Sequence, residues 1–254
     1  MYKQILMTPY RKIIALLSIS LLCASGTASA QHKGSRQIIR AYPVAGATAS
    51  QMRGDELKGF NKWGFTAGVG ALVDLSQDAQ WQLSLEADFS QRGARNATTK
   101  PYSLLYFTMN YVDIPVSVHF TDPWGGITIG TGLVYSRLVQ QPHGLMLFSS
   151  NFAPDTSDMT FLRNDLAAAI DLRFPIWKGL TFNVRYQHSL IPVKRGWHFT
   201  GYYNESDHQP SEWSNDCYNS SVTLRLLYVF GDEGHNRVAK KKKRQKRNNI
   251  SWPT

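Results

Sequence analysis

Cysteine is scarce in this chain of 254 residues, which contains only Cys23 and Cys217. Cys23 stands in an N-terminal segment that we predict to be removed, so the mature chain keeps one cysteine and cannot form an intramolecular disulfide. The fold must therefore be held together by burial and hydrogen bonding alone.

Long hydrophobic runs are also missing from the sequence. After the N-terminal segment, no stretch offers the roughly 18 consecutive apolar residues that mark a transmembrane helix. Because backbone polar groups must be satisfied inside a bilayer, any insertion of this chain into a membrane has to use β-strands.

The N-terminal segment has the features of a secretory signal. Lys3, Arg11 and Lys12 precede the short apolar run 13–22, and residues 28–30 supply the small side chains that a signal peptidase reads. We predict a cleaved signal peptide over residues 1–30, and therefore an exported protein whose mature chain begins at Gln31.

Acidic residues are few beside basic ones, 18 against 28, which gives a net charge of +10. The excess is concentrated in the C-terminal tail, whereas residues 31–231 are close to neutral. This distribution does not support a folded basic face, so we predict no nucleic-acid partner.

The tail, residues 232–254, contains a dense basic run at 240–247 with no apolar period. We predict that it is disordered and, in the topology argued below, periplasmic. Contact with anionic lipid headgroups or with an acidic periplasmic or secretion-system partner is one interpretation. A merely solvated tail is the other.

Strict apolar and polar alternation dominates the body of the chain. In 180–190, read LTFNVRYQHSL, every second residue is apolar except His188, and the intervening residues are polar or charged. Such a period of two predicts a strand with one apolar and one polar face. It predicts eight strands, at 38–50, 65–75, 81–93, 106–120, 127–139, 161–174, 180–190 and 217–230.

The predicted connections alternate in length. Tight links lie at 76–80, 121–125 and 175–179, whereas 93–103, 140–160 and 191–216 are long and polar. Short periplasmic turns and long extracellular loops are typical of outer-membrane barrels. Trp81, Trp124 and Trp177 all fall at the short-turn end, where an aromatic girdle would sit at headgroup level; scattered core tryptophans are the alternative.

If the apolar parity faces lipid, the charged side chains face the lumen. An eight-stranded barrel is only wide enough to be filled by its own side chains. We therefore predict an all-β, eight-stranded antiparallel up-and-down transmembrane β-barrel over 31–231, with a plugged lumen. The predicted luminal charge network comprises Glu86, Asp88, Arg92, Asp113, His119, Asp165, Asp171, Arg173, Arg185 and Arg225.

Five motifs follow one another along the chain. They are GFNKWGFTAGVGA (59–71), LSLEADFSQRG (83–93), YVDIPVSVHF (111–120), GGITIGTGLVYS (125–136) and the closing LLYVFG (226–231). The set resembles the PorT-like outer-membrane β-barrel proteins of the Bacteroidetes group over roughly 41–231. The resemblance implies an eight-stranded barrel with both termini in the periplasm and a role near type IX protein export. The closing alternation on Phe230 is also the pattern that barrel-assembly machinery prefers, although here a tail follows it.

No catalytic, cofactor-binding or metal site is predicted. His188 and Ser189 are adjacent and so face opposite sides of a strand, which prevents a nucleophile–base pair. His119 is expected to be a satisfied luminal histidine.

The last long loop carries the aromatic residues Trp197, Phe199, Tyr202, Tyr203 and Trp213. Exposed aromatics favour ligand or partner recognition, and packing over the barrel mouth is the alternative. Two other classes also stay open for the whole chain: a lipid-modifying barrel enzyme, and a soluble lipocalin-like periplasmic binder, in which the apolar parity would point inward.

Overall fold

A computed structural model describes residues 39–55, 59–95, 104–143, 146–147, 152–154, 160–201 and 211–231. The predicted signal peptide and basic tail lie outside these residues. Within the described ranges, no helix is long and apolar enough to cross a membrane.

Strands make up almost all of the described structure. In chain order they are β1 Ile39–Arg53, β2 Lys62–Asp74, β3 Trp81–Arg95, β4 Leu104–Thr121, β5 Thr128–His143, β6 Met146–Leu147, β7 Phe152–Pro154, β8 Asn164–Trp177, β9 Leu180–Ser189, β10 Lys194–Gly201 and β11 Ser211–Tyr228. All eight predicted strands are present, as β1 to β5, β8, β9 and β11.

These eight strands form a closed antiparallel barrel. Each pairs with the next in the order β1, β2, β3, β4, β5, β8, β9, β11. The seam is made by β11 and β1, which pair from Val44 opposite Leu227 to Arg53 opposite Tyr218. The predicted fold class is therefore confirmed, including the first strand, whose alternation is the least regular.

The short connections lie together at one end of the barrel. The β4–β5 turn is held by Asp122, whose Oδ2 accepts backbone N–H groups of Trp124 at 3.2 Å and Gly125 at 2.6 Å. The β8–β9 turn contains Gly179 at φ +73°, a left-handed conformation that favours glycine. We call this the short-turn end and the opposite one the long-loop end.

A second small sheet stands at the long-loop end. The first part of β11 pairs with β10, with Phe199 opposite Trp213, and β10 also pairs with β7. The prediction of a loop over 191–216 is thus wrong at 194–201 and 211–216, which lie in β10 and β11. The alternation in this segment is too short, and too interrupted at Gly196, to stand out from a polar loop.

The outer wall of the barrel is apolar. On β3, β4, β8 and β11, the outward positions carry mainly Leu, Ile, Val, Ala and aromatic side chains, while the inward positions carry mainly polar and charged side chains. The inward apolar exceptions include Ala167, Ala169 and Leu227. Large exposed hydrophobic residues of this wall include Leu85, Ile114, Val116, Leu133, Ile170, Leu172, Leu224 and Leu226. The polar parity is therefore inside.

Candidate functional site

The lumen contains a large group of buried ionisable side chains. The structure places all ten predicted luminal residues on inward positions of their strands, and each is buried. Nine of them form two groups at different heights, which we call the central cluster and the upper cluster, and His119 lies apart beside Ser84.

The central cluster is built around Glu86 of β3. Arg185 donates from Nη1 to Glu86 Oε2 at 2.9 Å and from Nη2 to Oε1 at 3.1 Å. Arg225 donates to Oε2 at 2.8 Å, and Arg173 to Oε1 at 3.3 Å. One carboxylate thus receives hydrogen bonds from three guanidinium groups, on strands β8, β9 and β11.

Two further carboxylates balance these charges. Asp171 lies directly across the strand pair from Arg185, which donates to it from Nη2 at 2.8 Å and from Nε at 3.0 Å. Asp88 Oδ2 lies 3.2 Å from Arg225 Nη1. Three acids and three arginines therefore sit in contact, and buried ions of this kind are tolerable only when they are paired and hydrogen-bonded.

Glycines make room for the bulky groups beside this cluster. A side chain at Gly70 would have its Cβ 2.4 Å from the Tyr42 ring, and one at Gly130 would be 2.0 Å from His119 Nδ1. The space left at Gly70 lets Tyr42 donate from its hydroxyl to Glu86 Oε1 at 2.7 Å. Tyr42 and His119 are the direct cross-strand partners of Gly70 and Gly130, and their bulk explains why these inward positions carry no side chain.

The upper cluster joins Arg92, Asp113 and Asp165. Arg92 bonds Asp113 directly, and its Nη1 lies 3.9 Å from Asp165 Oδ2. Ser90 donates to Asp113 at 2.7 Å, and Ser189 donates to Asp165 at 2.8 Å. The two clusters fill the middle and upper part of the lumen with side chains in contact.

Above the upper cluster, the barrel is closed by a hydrophobic cap. We use this name for the buried set Met52, Ala94, Phe107, Met109, Tyr111, Leu138, Phe161, Val193, Trp197, Phe199 and Cys217. Trp197 of β10 stands at its centre, edge-on to Phe107 at 6.3 Å and to Phe161 at 5.9 Å between ring centroids. The small sheet is thus attached to the barrel mouth by its inner face.

The aromatic residues predicted for recognition are divided by the structure. Trp197 and Phe199 are each 1% exposed and belong to the hydrophobic cap. These two residues therefore pack over the barrel mouth, which was the alternative to recognition. Trp213 is partly buried against the same cap and stacks on Phe199 at 6.1 Å. Tyr202 and Tyr203 lie outside the described residues.

The short-turn end, in contrast, holds an open cavity of about 480 Å³ that we call the vestibule. Its inner end is formed by Arg173 and its wall by Leu72, Leu227 and Val229, while Trp124 and Trp177 stand at its rim. A ligand entering from this end would meet the central cluster from below.

The histidines do not form catalytic arrangements with the groups that the structure describes. Inside the lumen, His119 Nε2 and Ser84 Oγ are 2.8 Å apart, but His119 Nδ1 has no hydrogen-bond partner that could orient the ring. On the outer wall, His188 Nδ1 is 2.7 Å from Ser220 Oγ, while Ser189 points inward. In these residues no three His, Cys, Asp or Glu side chains are grouped to hold a metal ion.

Comparison with known proteins gives no family. No family model matches the chain, and no curated protein matches it.

Solved structures that resemble it are themselves small barrels. The attachment invasion locus protein Ail of Yersinia pestis is 13% identical with a TM-score of 0.39, covering 76% of this chain and 100% of its own. Neisserial surface protein A is 10% identical with a TM-score of 0.40, covering 74% and 96%. OprG of Pseudomonas aeruginosa is 11% identical with a TM-score of 0.31, covering 75% and 94%. These distant likenesses carry no functional argument, and the barrel rests on its own strand pairing.

Several residues of the lumen were missed by the sequence analysis. Tyr42 is apolar in character and stands beside Pro43 on the least regular strand, so its inward position and its bond to Glu86 were not evident. Asn219 donates from Nδ2 to the Tyr111 hydroxyl at 3.1 Å and joins the upper cluster to the cap. The inward parity of the predicted strand 217–230, which Asn219 shares with Arg225, is the signal that could have identified it.

Proposed function

We propose that this protein spans the bacterial outer membrane as a closed, non-enzymatic barrel without a diffusion pore. The observation that carries the proposal is the length of the outward apolar runs. They extend over 81–89 on β3, 112–120 on β4 and 166–176 on β8, and about 9–11 tilted residues are what a transmembrane strand needs.

Aromatic residues at both edges of this wall support the same function. Trp81, Trp124 and Trp177 are 49%, 90% and 74% exposed at the short-turn end. Trp63 and Tyr135 are exposed toward the other end. Aromatic rings favour the headgroup level of a bilayer, so the two belts are consistent with its two interfaces.

The two alternative classes are less well supported. A lipocalin-like soluble binder requires the apolar parity to line the lumen, and the structure places it outside. A lipid-modifying enzyme requires a nucleophile and base at a rim that lipid can reach, whereas the Ser84–His119 pair is buried in the lumen.

The orientation follows from loop length. Outer-membrane barrels have short periplasmic turns and long extracellular loops, which assigns the vestibule to the periplasm and the small sheet to the outside. On the resemblance to PorT-like barrels, we propose a role in protein export; envelope organisation and adhesion are the alternatives. Partners would be outer-membrane lipid, the barrel-assembly machinery and a periplasmic or secretion-system component contacting the basic tail.

Fractionation of the expressing bacterium tests the membrane assignment. The envelope should contain the protein in the outer membrane, and boiling should change its mobility on an SDS gel, since small barrels stay folded in SDS until heated. A soluble periplasmic band with unchanged mobility would contradict the proposal.

The export role needs a separate measurement. Deleting the gene should reduce the amount of secreted protein in the culture medium, and restoring the gene should recover it. Unchanged secretion combined with altered envelope integrity or altered attachment would favour one of the other two roles.

A further inference from the structure

The vestibule contains a buried cation whose hydrogen-bonding capacity is largely unused. Arg173 is 4% exposed and lies at the inner end of the cavity. A guanidinium has five N–H donors, yet among the described residues Arg173 donates a single hydrogen bond, from Nη2 to Glu86 at 3.3 Å. Its Nε is buried without a partner.

Glu86 neutralises Arg173 only in part. The same carboxylate accepts shorter bonds, of 2.8 to 3.1 Å, from Arg185 and Arg225. The other two acids of the central cluster, Asp88 and Asp171, contact Arg185 and Arg225 rather than Arg173. Among the three arginines of this cluster, Arg173 is therefore the one that is paired most weakly with an acid.

The two acids that line the vestibule are engaged in their own turns. Asp122 Oδ2 accepts the two backbone N–H groups described above. Asp78 Oδ1 accepts the Ser76 hydroxyl and the Gln80 backbone N–H. Both carboxylates thus stabilise the rim and are not directed at Arg173.

The wall of the vestibule is apolar on the side of the barrel seam. Leu72, Leu227 and Val229 form a buried hydrophobic cluster with Tyr42 and Val44, and the Arg173 guanidinium carbon lies 5.7 Å from the centroid of the Tyr42 ring. The cavity therefore combines the weakly paired Arg173 at its inner end with a hydrophobic side. Arg40 and Lys178 also line it, and Arg40 is paired with Asp74.

We propose that the vestibule binds a small amphiphilic anion, with its carboxylate or phosphate group on Arg173 and its apolar body against Leu72, Leu227 and Val229. Arginine binds planar and tetrahedral oxyanions through its N–H donors, and Arg173 Nη1 donates to none of the described residues, since the one bond of this side chain is made by Nη2. A volume of about 480 Å³ lies within the range of small-molecule sites, about 300–1,000 Å³. The site does not depend on which side of a membrane it faces.

Calorimetric titration of the full mature chain in a neutral detergent tests this site. The probes are benzoate and phenyl phosphate, compared with neutral benzamide and with inorganic phosphate. We expect one-to-one binding of benzoate and phenyl phosphate, weaker binding of inorganic phosphate, and none of benzamide. Benzamide binding as tightly as benzoate, or no binding of either aromatic anion, would overturn the proposal.

Variants locate the binding. Arg173→Gln should weaken benzoate binding at least about tenfold, whereas Arg137→Gln, at an exposed arginine bonded to Asn164 on the long-loop side, should leave it unchanged. Equal affinity in Arg173→Gln and the unaltered protein would contradict the assignment to Arg173.

A second variant covers the case in which Arg173→Gln fails to fold. Thr181→Trp introduces bulk into the vestibule from β9 without removing any group of the central cluster. Heat-modifiable mobility on a gel would show that it folds, and it should then lose benzoate binding. Retained binding in the folded Thr181→Trp protein would show that the anion binds elsewhere.

Discussion

Arg185 is the residue on which the charge balance of the lumen depends most. It bonds Glu86 and Asp171 with both edges of its guanidinium and lies 3.9 Å from Asp88. The charged residues were predicted from parity alone, because each stands on the polar face of a regular strand. Their individual partners were not, because contacts across a lumen depend on the heights at which four strands bring their side chains together.

Replacing Arg185 with Gln should destabilise the barrel strongly. The change leaves Glu86 and Asp171 buried with fewer cations, and breaking a buried pair in this way costs about 3–5 kcal/mol. Urea unfolding followed by tryptophan fluorescence measures the loss. Arg137→Gln, at an exposed arginine, is the matched control and should change stability by about 1 kcal/mol or less; equal losses in the two variants would argue against a stabilising network.

Gly130 offers a test of packing at a single position. Gly130→Ala places a methyl group 2.0 Å from His119 Nδ1 and should cost about 1–3 kcal/mol, as overpacking does. In a His119→Ser background the same change should cost less, with a coupling of about 0.5–3 kcal/mol. Gly125→Ala, whose nearest neighbour lies at 3.4 Å, is the control. Identical costs in both backgrounds would show that the His119 ring is not the obstacle.

At the scale of the strand, alternation alone was enough to predict the barrel wall. Most of the eight strands were found because their two faces differ chemically over many residues; β1, whose alternation is interrupted by Pro43 and small residues, is the least regular. The small sheet was missed for the opposite reason. Both faces of β10 contain polar as well as apolar residues. Trp197 and Phe199 are buried because they pack into the hydrophobic cap beneath them, not because β10 is part of the barrel wall. Burial that comes from a neighbouring layer leaves a weak pattern in the sequence.

The proposed membrane position predicts that the cost of an outward charge changes along one strand. Ile170 and Ile176 both point outward from β8 and are 53% and 58% exposed. Ile170→Arg, near the middle of the apolar run, should cost about 2–4 kcal/mol, and Ile176→Arg, at its edge, about 0–1 kcal/mol. Folding into lipid vesicles over a urea series measures both. Equal costs would indicate a surface that does not sit across a bilayer.

The hydrophobic cap can be tested with two adjacent residues of β10. Trp197 points into the cap, whereas His198 is exposed on the opposite face. Trp197→Ala should cost about 3–5 kcal/mol, and His198→Ala should stay within about 0.5 kcal/mol. Cys217 reports the change locally, since it is buried in the same cap. Its maleimide labelling should accelerate in Trp197→Ala, and an unchanged rate would show that the cap does not depend on Trp197.

At the scale of the whole molecule, the lumen is asymmetric. It is capped by hydrophobic side chains at the long-loop end, filled by ions in the middle and open at the short-turn end. The sequence analysis predicts a plugged lumen from strand number, because eight strands enclose little more than their own side chains, and the plug stays a prediction. The difference between the two ends could not be predicted, because it arises from where the small sheet packs.

Planar lipid bilayers provide the test of a closed lumen. The purified protein should give no steady conductance, and replacing residues 194–216 with a flexible linker should not create one, because both charged clusters lie below the cap. Steady channels in the unaltered protein would contradict the closed barrel. Channels appearing only after the replacement would show that the cap, not the clusters, forms the seal.

The long strand β11 has a mechanical consequence. Ser211–Tyr228 is one continuous element whose outer part belongs to the small sheet and whose inner part pairs with β1 and β9. A pull applied at its outer end runs along the strand, perpendicular to the ladder hydrogen bonds, and so loads both ladders in shear at the same time. Tension on the small sheet is therefore borne by the whole wall rather than by a single loop, and the sheet should unravel at β10 before β11 is drawn out of the barrel.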